Sequence, residues 1–364
     1  MTKYNNTKAT LAIAKASFRS IIRSPSAVVF SLAFPLIFIV VFANIGGSAV
    51  KVDVGVSKSC DTLNPVYQVL KNAKVVNLIT NQSEKDMASN LSKGRDMDAV
   101  INIQKNNRQP AYTLNVQYTS ASQQKDAIFK SLLNSVFYEI NSEGGKTPQP
   151  VAEIKEATIH GREYKYIDFL LPGMLGFSLL SSGVFGTAFV FLSLRLTLVI
   201  KRFFATPVKK YSIVLGEALA RLVFSWIGAL FIILVGHYFF GFTLIHGVTT
   251  VINMLILSAL GLIVFMGFGF IISGIAKNES AVPPLSNIIT MPQFLLSGTF
   301  FATTAFPNWL QWLSNILPLT YLNKAMRDVA FEGAGLGDVT HDLLIIGIWF
   351  IIVYAVAVKT FKWE

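Results

Sequence analysis

The fold is decided by the stretch Lys201-Arg202-Phe203-Phe204-Ala205-Thr206-Pro207-Val208-Lys209-Lys210, a basic and aromatic segment between two long apolar runs. The apolar runs cover Phe169–Leu194 and Leu215–Val235. Each has about the 20 residues that a helix needs to cross the roughly 30 Å of a bilayer's hydrocarbon core. Four cations at the bilayer centre would cost on the order of 10 kcal/mol. The segment is therefore predicted to lie in water at one face of a membrane, between two membrane helices.

Composition points to the same class. Of the 364 residues, 52% are hydrophobic and only 14% are charged, which is too apolar for an ordinary soluble domain. The net charge of +11 is divided among short segments beside apolar runs, as the positive-inside rule predicts, so nucleic acid is not an expected partner. The single cysteine, Cys60, and the four scattered histidines have no metal-ligand spacing, so no metal site is predicted.

Hydropathy predicts a polytopic α-helical membrane protein with six transmembrane helices. These predicted spans are Ala27–Ile45, Phe169–Leu194, Leu215–Val235, Val248–Ile275, Ala281–Phe301 and Leu343–Val358. Residues 1–24 are predicted to form an amphipathic helix on the inner membrane surface, with Leu11, Ala14, Phe18 and Ile21 on its apolar face. Residues 25–47 then hold the first span, and residues 169–364 hold the other five.

Residues 48–168 read as an inserted α/β domain, because basic and acidic residues nearly balance there (15 and 13 from Lys51 to Asp168). Four short runs have strand character and three have helical periodicity. The predicted strands are Val52–Val56, Val75–Ile79, Ala99–Ile103 and Tyr112–Tyr118, and the predicted helices are Pro65–Asn72, Ser83–Lys93 and Gln123–Ile140. The glycines and prolines in residues 144–150 predict a linker back to the membrane.

The distribution of Lys and Arg predicts the orientation. Residues 1–24 hold five such cations and Arg195–Arg221 holds six, whereas Tyr238–Gly247 has none and Ala302–Asp342 has two. Both termini and the loop 195–214 are therefore predicted to be cytoplasmic, and the α/β domain to lie outside. After the fifth span, prolines and the interfacial residues Trp309, Trp312 and Tyr321 predict a helical hairpin at residues 302–325, and whether it enters the membrane stays open.

Several segments in order resemble the membrane subunit of the ABC-2 family of ABC transporters, in the variety with a large external domain between spans 1 and 2. These segments are Phe169-Leu170-Leu171-Pro172-Gly173, residues 201–207 followed by Gly216-Glu217, Pro292-Gln293-Phe294-Leu295-Leu296-Ser297-Gly298-Thr299-Phe300-Phe301, Trp309-Leu310-Gln311-Trp312 and Leu317-Pro318-Leu319-Thr320-Tyr321. The resemblance runs through all six spans. Where family members often carry an acidic residue before position 201, this chain has Leu198-Val199-Ile200.

The resemblance implies a permease that pairs with a second copy of itself or with a homologous permease, and that binds separate ATP-binding subunits carrying ATP and Mg²⁺. It also implies export. On this chain no cofactor site and no enzyme activity are expected, because Gly145-Lys146-Thr147 lacks the first glycine of a phosphate-binding loop, position 140 being isoleucine. The expected cargo is a hydrophobic or amphipathic drug, lipid, glycolipid or peptide, and the expected location is a bacterial cytoplasmic (inner) membrane.

Three groups of residues are candidate sites. The predicted contact with the ATP-binding subunit is Lys201, Arg202, Phe203, Phe204, Ala205, Thr206, Pro207 and Val208, with the alternative that the cations only set topology. The predicted outer hairpin or gate is Phe300, Phe301, Trp309, Trp312, Pro318 and Tyr321. Glu217 and Arg221, four residues apart, are interpreted as a local ion pair on the third span, with a proton or substrate role as the minority alternative.

Two other classes of function are alternatives. A membrane-embedded hydrolase would need a nucleophile, a base or metal ligands that converge within the spans, and the four histidines, His160, His237, His246 and His341, are scattered without a metal spacing. The chain could be a membrane-anchored receptor or envelope-assembly protein that binds a periplasmic or surface partner through residues 51–165. Six spans and a structured outer hairpin exceed what an anchor needs, which favours the transporter. Co-purification separates the two classes, because only a transporter is expected to bring down an ATP-binding protein.

Overall fold

The structure is a computed structural model of the chain. It describes residues 5–45, 52–73, 75–80, 82–93, 97–106, 110–119, 123–143, 152–159 and 165–361. The chain forms two compact units, one of Met1–Ile45 with Tyr166–Glu364 and the other of Gly46–Lys165. The domain boundary predicted after residue 47, the linker at 144–150 and the sequence Gly145-Lys146-Thr147 lie outside the described residues.

The first unit begins with two helices, α1 (Asn6–Ile22) and α2 (Pro25–Ile45). The side chain of Asn5 accepts hydrogen bonds from the backbone N–H groups of Thr7 and Lys8, which satisfies donors at the start of α1. Pro25 stands at the first position of α2, where proline is tolerated because no N–H is needed there. The boundary between the two helices therefore follows from local chemistry.

A mixed five-stranded sheet in the order β2-β1-β3-β4-β5 forms the centre of the second unit. The strands are β1 (Val52–Val56), β2 (Val76–Ile79), β3 (Ala99–Lys105), β4 (Tyr112–Thr119) and β5 (Ala152–Ile159). β1 is parallel to β2 and β3, whereas β4 is antiparallel to β3 and parallel to β5. The helices of this unit are α3 (Pro65–Asn72), α4 (Glu84–Lys93) and α5 (Gln123–Glu143).

The core of the second unit follows the two-residue period of its strands. Ile101 pairs with Val116 across β3 and β4, and both are buried in the cluster that includes side chains of α3 and α5. Val100, which points to the opposite face, packs with Met87 of α4. Strands β1 to β4 lie where the sequence predicted strands, and β5 was not predicted.

The rest of the first unit is helical. Its helices are α6 (Tyr166–Ser181), α7 (Thr187–Leu196), α8 (Val199–Phe204), α9 (Lys210–Phe240), α10 (Val248–Ile275), α11 (Val282–Leu296), α12 (Asn308–Ser314), α13 (Pro318–Arg327) and α14 (Thr340–Thr360). A π-helical turn, Ser182–Gly186, joins α6 to α7, and a second one, Asp328–Glu332, follows α13. α6, the first π-helical turn and α7 make one helix of 31 residues.

Among the described residues, four helices are long and apolar enough to cross a membrane: Tyr166–Leu196, Lys210–Phe240, Val248–Ile275 and Thr340–Thr360. They contain predicted spans 2, 3, 4 and 6. For predicted span 1 the described apolar stretch is Leu32–Phe42. Predicted span 5 differs, because α11 has 15 residues, about 22 Å of helix, and ends at Leu296 before a turn. The count of six spans stays a prediction.

α1 packs along α9 in the first unit. A Cβ atom on Gly216 of α9 would lie 2.7 Å from Cγ2 of Ile13, so only glycine permits this contact. Thr10 is buried, whereas Leu11, from the predicted apolar face, is 59% exposed. α1 therefore packs on α9 through a face that includes Thr10 and Ile13, whereas Leu11 of the predicted apolar face is exposed, and the location of α1 at a membrane surface stays a prediction.

Candidate functional site

Residues 195–214, here called the coupling segment, form a compact helix-turn structure. α7 ends at Leu196, α8 occupies Val199–Phe204, and α9 begins at Lys210. Leu198 links α7 to α8 in the left-handed conformation, with φ at +58°, which costs a leucine about 1–2 kcal/mol. Arg195 donates hydrogen bonds to the carbonyls of Gly274 and Ala276 at the end of α10, which fixes the start of the segment.

The predicted contact residues fall into two groups in the structure. Lys201, Arg202, Ala205, Thr206 and Pro207 are exposed and form a surface that a partner can reach. Phe203 and Val208 are half-buried and pack against the helical core of their own chain. The side chain of Phe204 lies outside the described residues. Ile200, which was not predicted as a site residue, is 1% exposed and anchors α8 by its burial.

The coupling segment also adjoins α1. The side chain of Asn6 accepts a hydrogen bond from the backbone N–H of Lys209 at 3.5 Å. The ammonium group of Lys209 lies 5.8 Å from the ring centre of Tyr211, a cation–π distance. The start of α1 is therefore joined to the start of α9 beside the exposed cation Lys209.

A buried ion pair lies one to two turns further along α9. Nη2 of Arg221 is 2.8 Å from Oε1 of Glu217, and the two side chains are 5% and 3% exposed. Arg221 also donates from Nη1 to the carbonyl of Ser182 at 3.2 Å and from Nη2 to the carbonyl of Gly186. The pair therefore links α9 to the π-helical turn Ser182–Gly186, which a purely local pair would not do.

The π-helical turn explains why an arginine reaches backbone carbonyls inside a helical core. A π-helical turn shifts the backbone hydrogen bonds of a helix by one residue and occurs often at functional sites. A Cβ atom on Gly186 would overlap the guanidinium group of Arg221, so glycine is required at this position. The guanidinium group thus satisfies carbonyls at both ends of the turn while its charge is balanced by Glu217.

The irregular turn Ser297–Phe301, here called the outer turn, follows α11. Gly298 has a positive φ of +69°. The carbonyl of Leu296, just before this turn, and three carbonyls within it accept hydrogen bonds from side chains elsewhere in the first unit. The donors are Ser314 to Leu296, Asn323 to Ser297, Arg327 to Gly298 and Tyr166 to Phe300. These side chains therefore satisfy carbonyls that have no helical hydrogen bond.

The predicted outer residues divide into a buried set and an exposed set. Phe300 is 9% exposed and contacts the rings of Phe38, Phe42 and Phe294 in tilted or edge-on geometry, at ring-centre distances between 4.9 and 5.5 Å. Pro318 is buried at the start of α13. Tyr321 is half-buried, with its hydroxyl donating to the carbonyl of Asn315, whereas Phe301, Trp309 and Trp312 are 62–73% exposed. The exposed tryptophans lie on α12, as expected for an interfacial helix.

Sequence reasoning missed the residues that hold the outer turn. Asn323 and Arg327 are spaced by four residues on α13, and both are buried. Arg327 additionally donates to the carbonyl of Phe169, and its Cζ atom lies 3.6 Å from the centre of the Phe169 ring. In the sequence, these two residues form a polar pair spaced by four positions on a short helix. A polar pair on a helix that is mostly buried indicates a specific polar contact.

Among the described residues of the second unit, one carboxyl group has a strongly shifted pKa. The pKa of Asp126 is raised to about 7, mainly by burial; the charge of Asp98 adds to the increase and that of Lys130 opposes it. Oδ1 of Asp126 has no hydrogen-bond partner among the described residues. Within the same described part of the chain, no three His, Cys, Asp or Glu side chains come together as metal ligands.

The apolar helices and the buried polar contacts between them define a polytopic helical membrane protein. The sequence profile of the ABC-2 family transporter protein matches residues 25–359. The chain therefore belongs to the ABC-2 transporter family.

Two relatives have informative similarity. The chain is similar to ABC transporter G family member 20 of Dictyostelium discoideum, with 25% identity over 374 residues that cover 96% of this chain and 50% of that protein. It is also similar to the inner membrane transport permease YadH of Escherichia coli (strain K12), with 22% identity over 206 residues, 57% of this chain and 76% of YadH. The chain thus spans about half the length of the Dictyostelium relative.

Proposed function

We propose that the chain is the transmembrane subunit of an ATP-driven exporter that moves a hydrophobic or amphipathic substrate outward. The observation that carries the proposal is the coupling segment, an exposed cationic helix and turn between two helices of membrane length. Membership of the ABC-2 family supports it, since a permease of this kind works with ATP-binding subunits. The partner would bind ATP together with Mg²⁺ and would hydrolyse the ATP.

The surface of the coupling segment suits such a partner. Lys201, Arg202, Lys209 and Lys210 are exposed, and opposite charges on a partner would steer and orient its docking. Pro207, also exposed, restricts the turn that separates the two pairs of cations. The half-buried Phe203 supports α8 from inside, so its proposed role is to hold the docking helix in place.

Motion of the coupling segment has a direct path into the helical core. Arg195 joins it to the end of α10, and Asn6 joins the start of α9 to α1. A partner that displaces α8 must therefore move α7, α10 and α1, or break these bonds. The strained backbone of Leu198 marks the point where α7 and α8 change direction.

The topology in this proposal has six spans, both termini in the cytoplasm, and the α/β unit outside a bacterial cytoplasmic membrane. The chain pairs with a second copy of itself or with a homologous permease. The α/β unit docks a periplasmic or surface protein or gates release. Deletion of residues 51–165 tests that last role, and export that continues unchanged would refute it.

Charge reversal tests the coupling role. Lys201→Glu and Arg202→Glu are expected to abolish substrate-stimulated ATPase activity in reconstituted vesicles, while expression and melting temperature stay as in the wild type. Lys359→Glu is the matched control, because Lys359 is an exposed cation in the last turn of α14. Co-purification of an ATP-binding protein with the wild type, lost in the double variant, is the physical readout. Unchanged coupling in the double variant contradicts the proposal.

A further inference from the structure

α1 carries a line of cations on the side that faces away from α9. Lys8, Lys15, Arg19 and Arg23 are all exposed, the first three on α1 and the last at its C-cap. At 3.6 residues per turn they fall within about 80° of arc, and at a rise of 1.5 Å per residue they extend over about 22 Å. The four charges therefore form one straight row, here called the cationic stripe.

The packing of α1 holds the cationic stripe outward. Thr10 is buried, and Ile13 fills the space that a Cβ atom on Gly216 of α9 would need. At 3.6 residues per turn, Thr10 and Ile13 lie on the opposite side of α1 from the cations. Rotation of α1 about its axis would break this contact, so the four charges stay directed toward the surroundings of the helical unit.

The charge of the stripe is not balanced by nearby parts of the chain. The first acidic residue in the sequence is Asp53, and residues 195–214 contain no acid. On α9 the one acid is Glu217, which is buried and paired with Arg221. None of the four cations has an ion pair among the residues that the structure describes.

Repulsion within the stripe means that α1 gains stability from bound anions. Lys15 and Arg19 are four residues apart, as are Arg19 and Arg23, and like charges at this spacing destabilise a helix. One small anion cannot contact cations that are spread over about 22 Å of helix. The ligand that fits is therefore a surface with repeated anionic groups.

Apolar side chains beside the stripe favour a lipid surface over an acidic protein. Leu11 and Ile22 are 59% and 52% exposed and lie along one edge of the stripe. Helices at a membrane surface combine these features, because their cations contact phosphates while their apolar side chains enter the acyl boundary. The apolar helix α2 begins at Pro25, only three residues after the end of α1, so a bilayer surface lies within reach of the stripe.

We infer that the cationic stripe binds the phosphate headgroups of anionic phospholipids. A surface location for α1 would be satisfied by zwitterionic lipid, whereas four unbalanced cations specify an anionic surface. Each cation near such a surface strengthens attachment about fivefold. The site is separate from the proposed export function, because it needs neither ATP nor the partner subunit nor a cargo.

The test uses the purified full chain in phosphatidylcholine nanodiscs that contain phosphatidylglycerol with a photoreactive diazirine linked to its headgroup. Mass spectrometry locates the cross-linked peptides, and unlabelled lipids in the nanodisc compete for the site. We expect cross-links on residues 8–23 that unlabelled phosphatidylglycerol removes and added phosphatidylcholine does not. Free glycerol 3-phosphate in millimolar excess is expected not to compete, since it carries one phosphate and offers no surface.

Two variants of equal net charge separate the stripe from general electrostatic attraction. The stripe variant combines Lys8→Gln, Lys15→Gln, Arg19→Gln and Arg23→Gln, because glutamine is also a good helix former and the packing face is left intact. The control variant changes four exposed lysines of the α/β unit to glutamine, at Lys58, Lys71, Lys85 and Lys105. Arg19→Gln alone is expected to weaken phosphatidylglycerol binding about fivefold. The stripe variant is expected to lose the cross-links on residues 8–23, and the control variant to keep them.

The melting temperature checks that the stripe variant is folded. In phosphatidylcholine nanodiscs it should melt at or above the wild-type temperature, because the repulsion between the cations is gone. In nanodiscs with phosphatidylglycerol the wild type should melt about 2 °C or more higher than in phosphatidylcholine, and the stripe variant should show no increase. If the stripe variant melts lower in both lipids, the fivefold effect of Arg19→Gln decides the test.

Three results overturn the inference: cross-links that map outside residues 8–23, equal competition by phosphatidylcholine or by glycerol 3-phosphate, or an equal loss in the control variant. If the stripe variant keeps its lipid contact but no longer co-purifies with an ATP-binding protein, the stripe binds a protein and the inference is wrong. If lipid binding behaves as expected but reconstituted vesicles with the ATP-binding subunit export nothing, the proposed function fails and the lipid site stands.

Discussion

The burial of the pair Glu217–Arg221 allows the stability cost of breaking it to be predicted. Arg221→Met removes the cation, leaves Glu217 buried without its partner, and takes a donor from the carbonyls of Ser182 and Gly186. Breaking a buried ion pair at one partner costs about 3–5 kcal/mol. We therefore expect Arg221→Met to destabilise the folded helical unit by about 4 kcal/mol.

The double variant distinguishes the charge effect from the hydrogen-bond effect. In Glu217→Leu/Arg221→Met no unpaired charge is left, so the cost is expected to fall to about 1–3 kcal/mol, the cost of carbonyls that lose their donors. The double variant is therefore expected to cost about 2 kcal/mol less than Arg221→Met alone, so the effects of the two substitutions are not additive. Unfolding in a graded detergent titration, followed by tryptophan fluorescence, measures all four states of the cycle.

Glu156→Gln provides the matched control for Glu217→Gln. Both carboxylates lie 2.8 Å from a cation, but the side chain of Glu156 is 41% exposed whereas that of Glu217 is 3% exposed. Surface pairs contribute at most about 1 kcal/mol, so Glu217→Gln is expected to cost several times more than Glu156→Gln. Additive effects in the double variant, or equal effects of the two Gln substitutions, would refute the assignment of a stabilising buried pair.

Three further predictions concern other parts of the chain. Because the pKa of Asp126 is raised to about 7, its contribution to the stability of the α/β unit is complete below pH about 4 and is lost as the pH rises to about 7. Hydrogen-exchange protection of the sheet should fall over that range by up to about 4 kcal/mol, and a slope that persists in Asp126→Asn contradicts the assignment. Gly298→Ala should cost about 1–2 kcal/mol in the detergent titration, because its φ is positive; no loss of stability would mean that the outer turn adopts another conformation. Leu198→Asn should raise stability by up to about 1 kcal/mol, since asparagine tolerates the left-handed region, and a decrease would count against strain at this residue.

The hydropathy of long segments predicted where the helices lie better than it predicted where they end. Predicted span 4 and α10 have the same bounds, Val248–Ile275, because the run is uniformly apolar and has glycine before it. Predicted span 5 continued to Phe301, yet α11 ends at Leu296, since side chains from other helices satisfy the carbonyls of the outer turn. The continuation of an apolar run does not reveal such tertiary donors.

The missed strand has a different cause. β5 (Ala152–Ile159) lies at the edge of the sheet and carries Glu153, Lys155 and Glu156, which obscure the two-residue hydrophobic period of a strand. Charged residues on an edge strand oppose pairing with other chains, so an edge strand often lacks a clear alternation of apolar and polar residues. In the coupling segment, charge predicted which residues would be exposed, but only the structure shows that Phe203 packs inward.

The helix Tyr166–Leu196 connects the three candidate sites of the membrane unit. Its first residue, Tyr166, bonds the outer turn, its π-helical turn holds Arg221, and Arg195 near its end bonds α10. A displacement that begins at the coupling segment must therefore pass the π-helical turn before it reaches the outer turn. Because Arg221 donates to carbonyls at both ends of that turn, it joins the two halves of the helix. In the exporter proposed above, a variant at Arg221 should for this reason lower the coupling of ATP hydrolysis to transport, even though Arg221 is buried away from the exposed cations of the coupling segment.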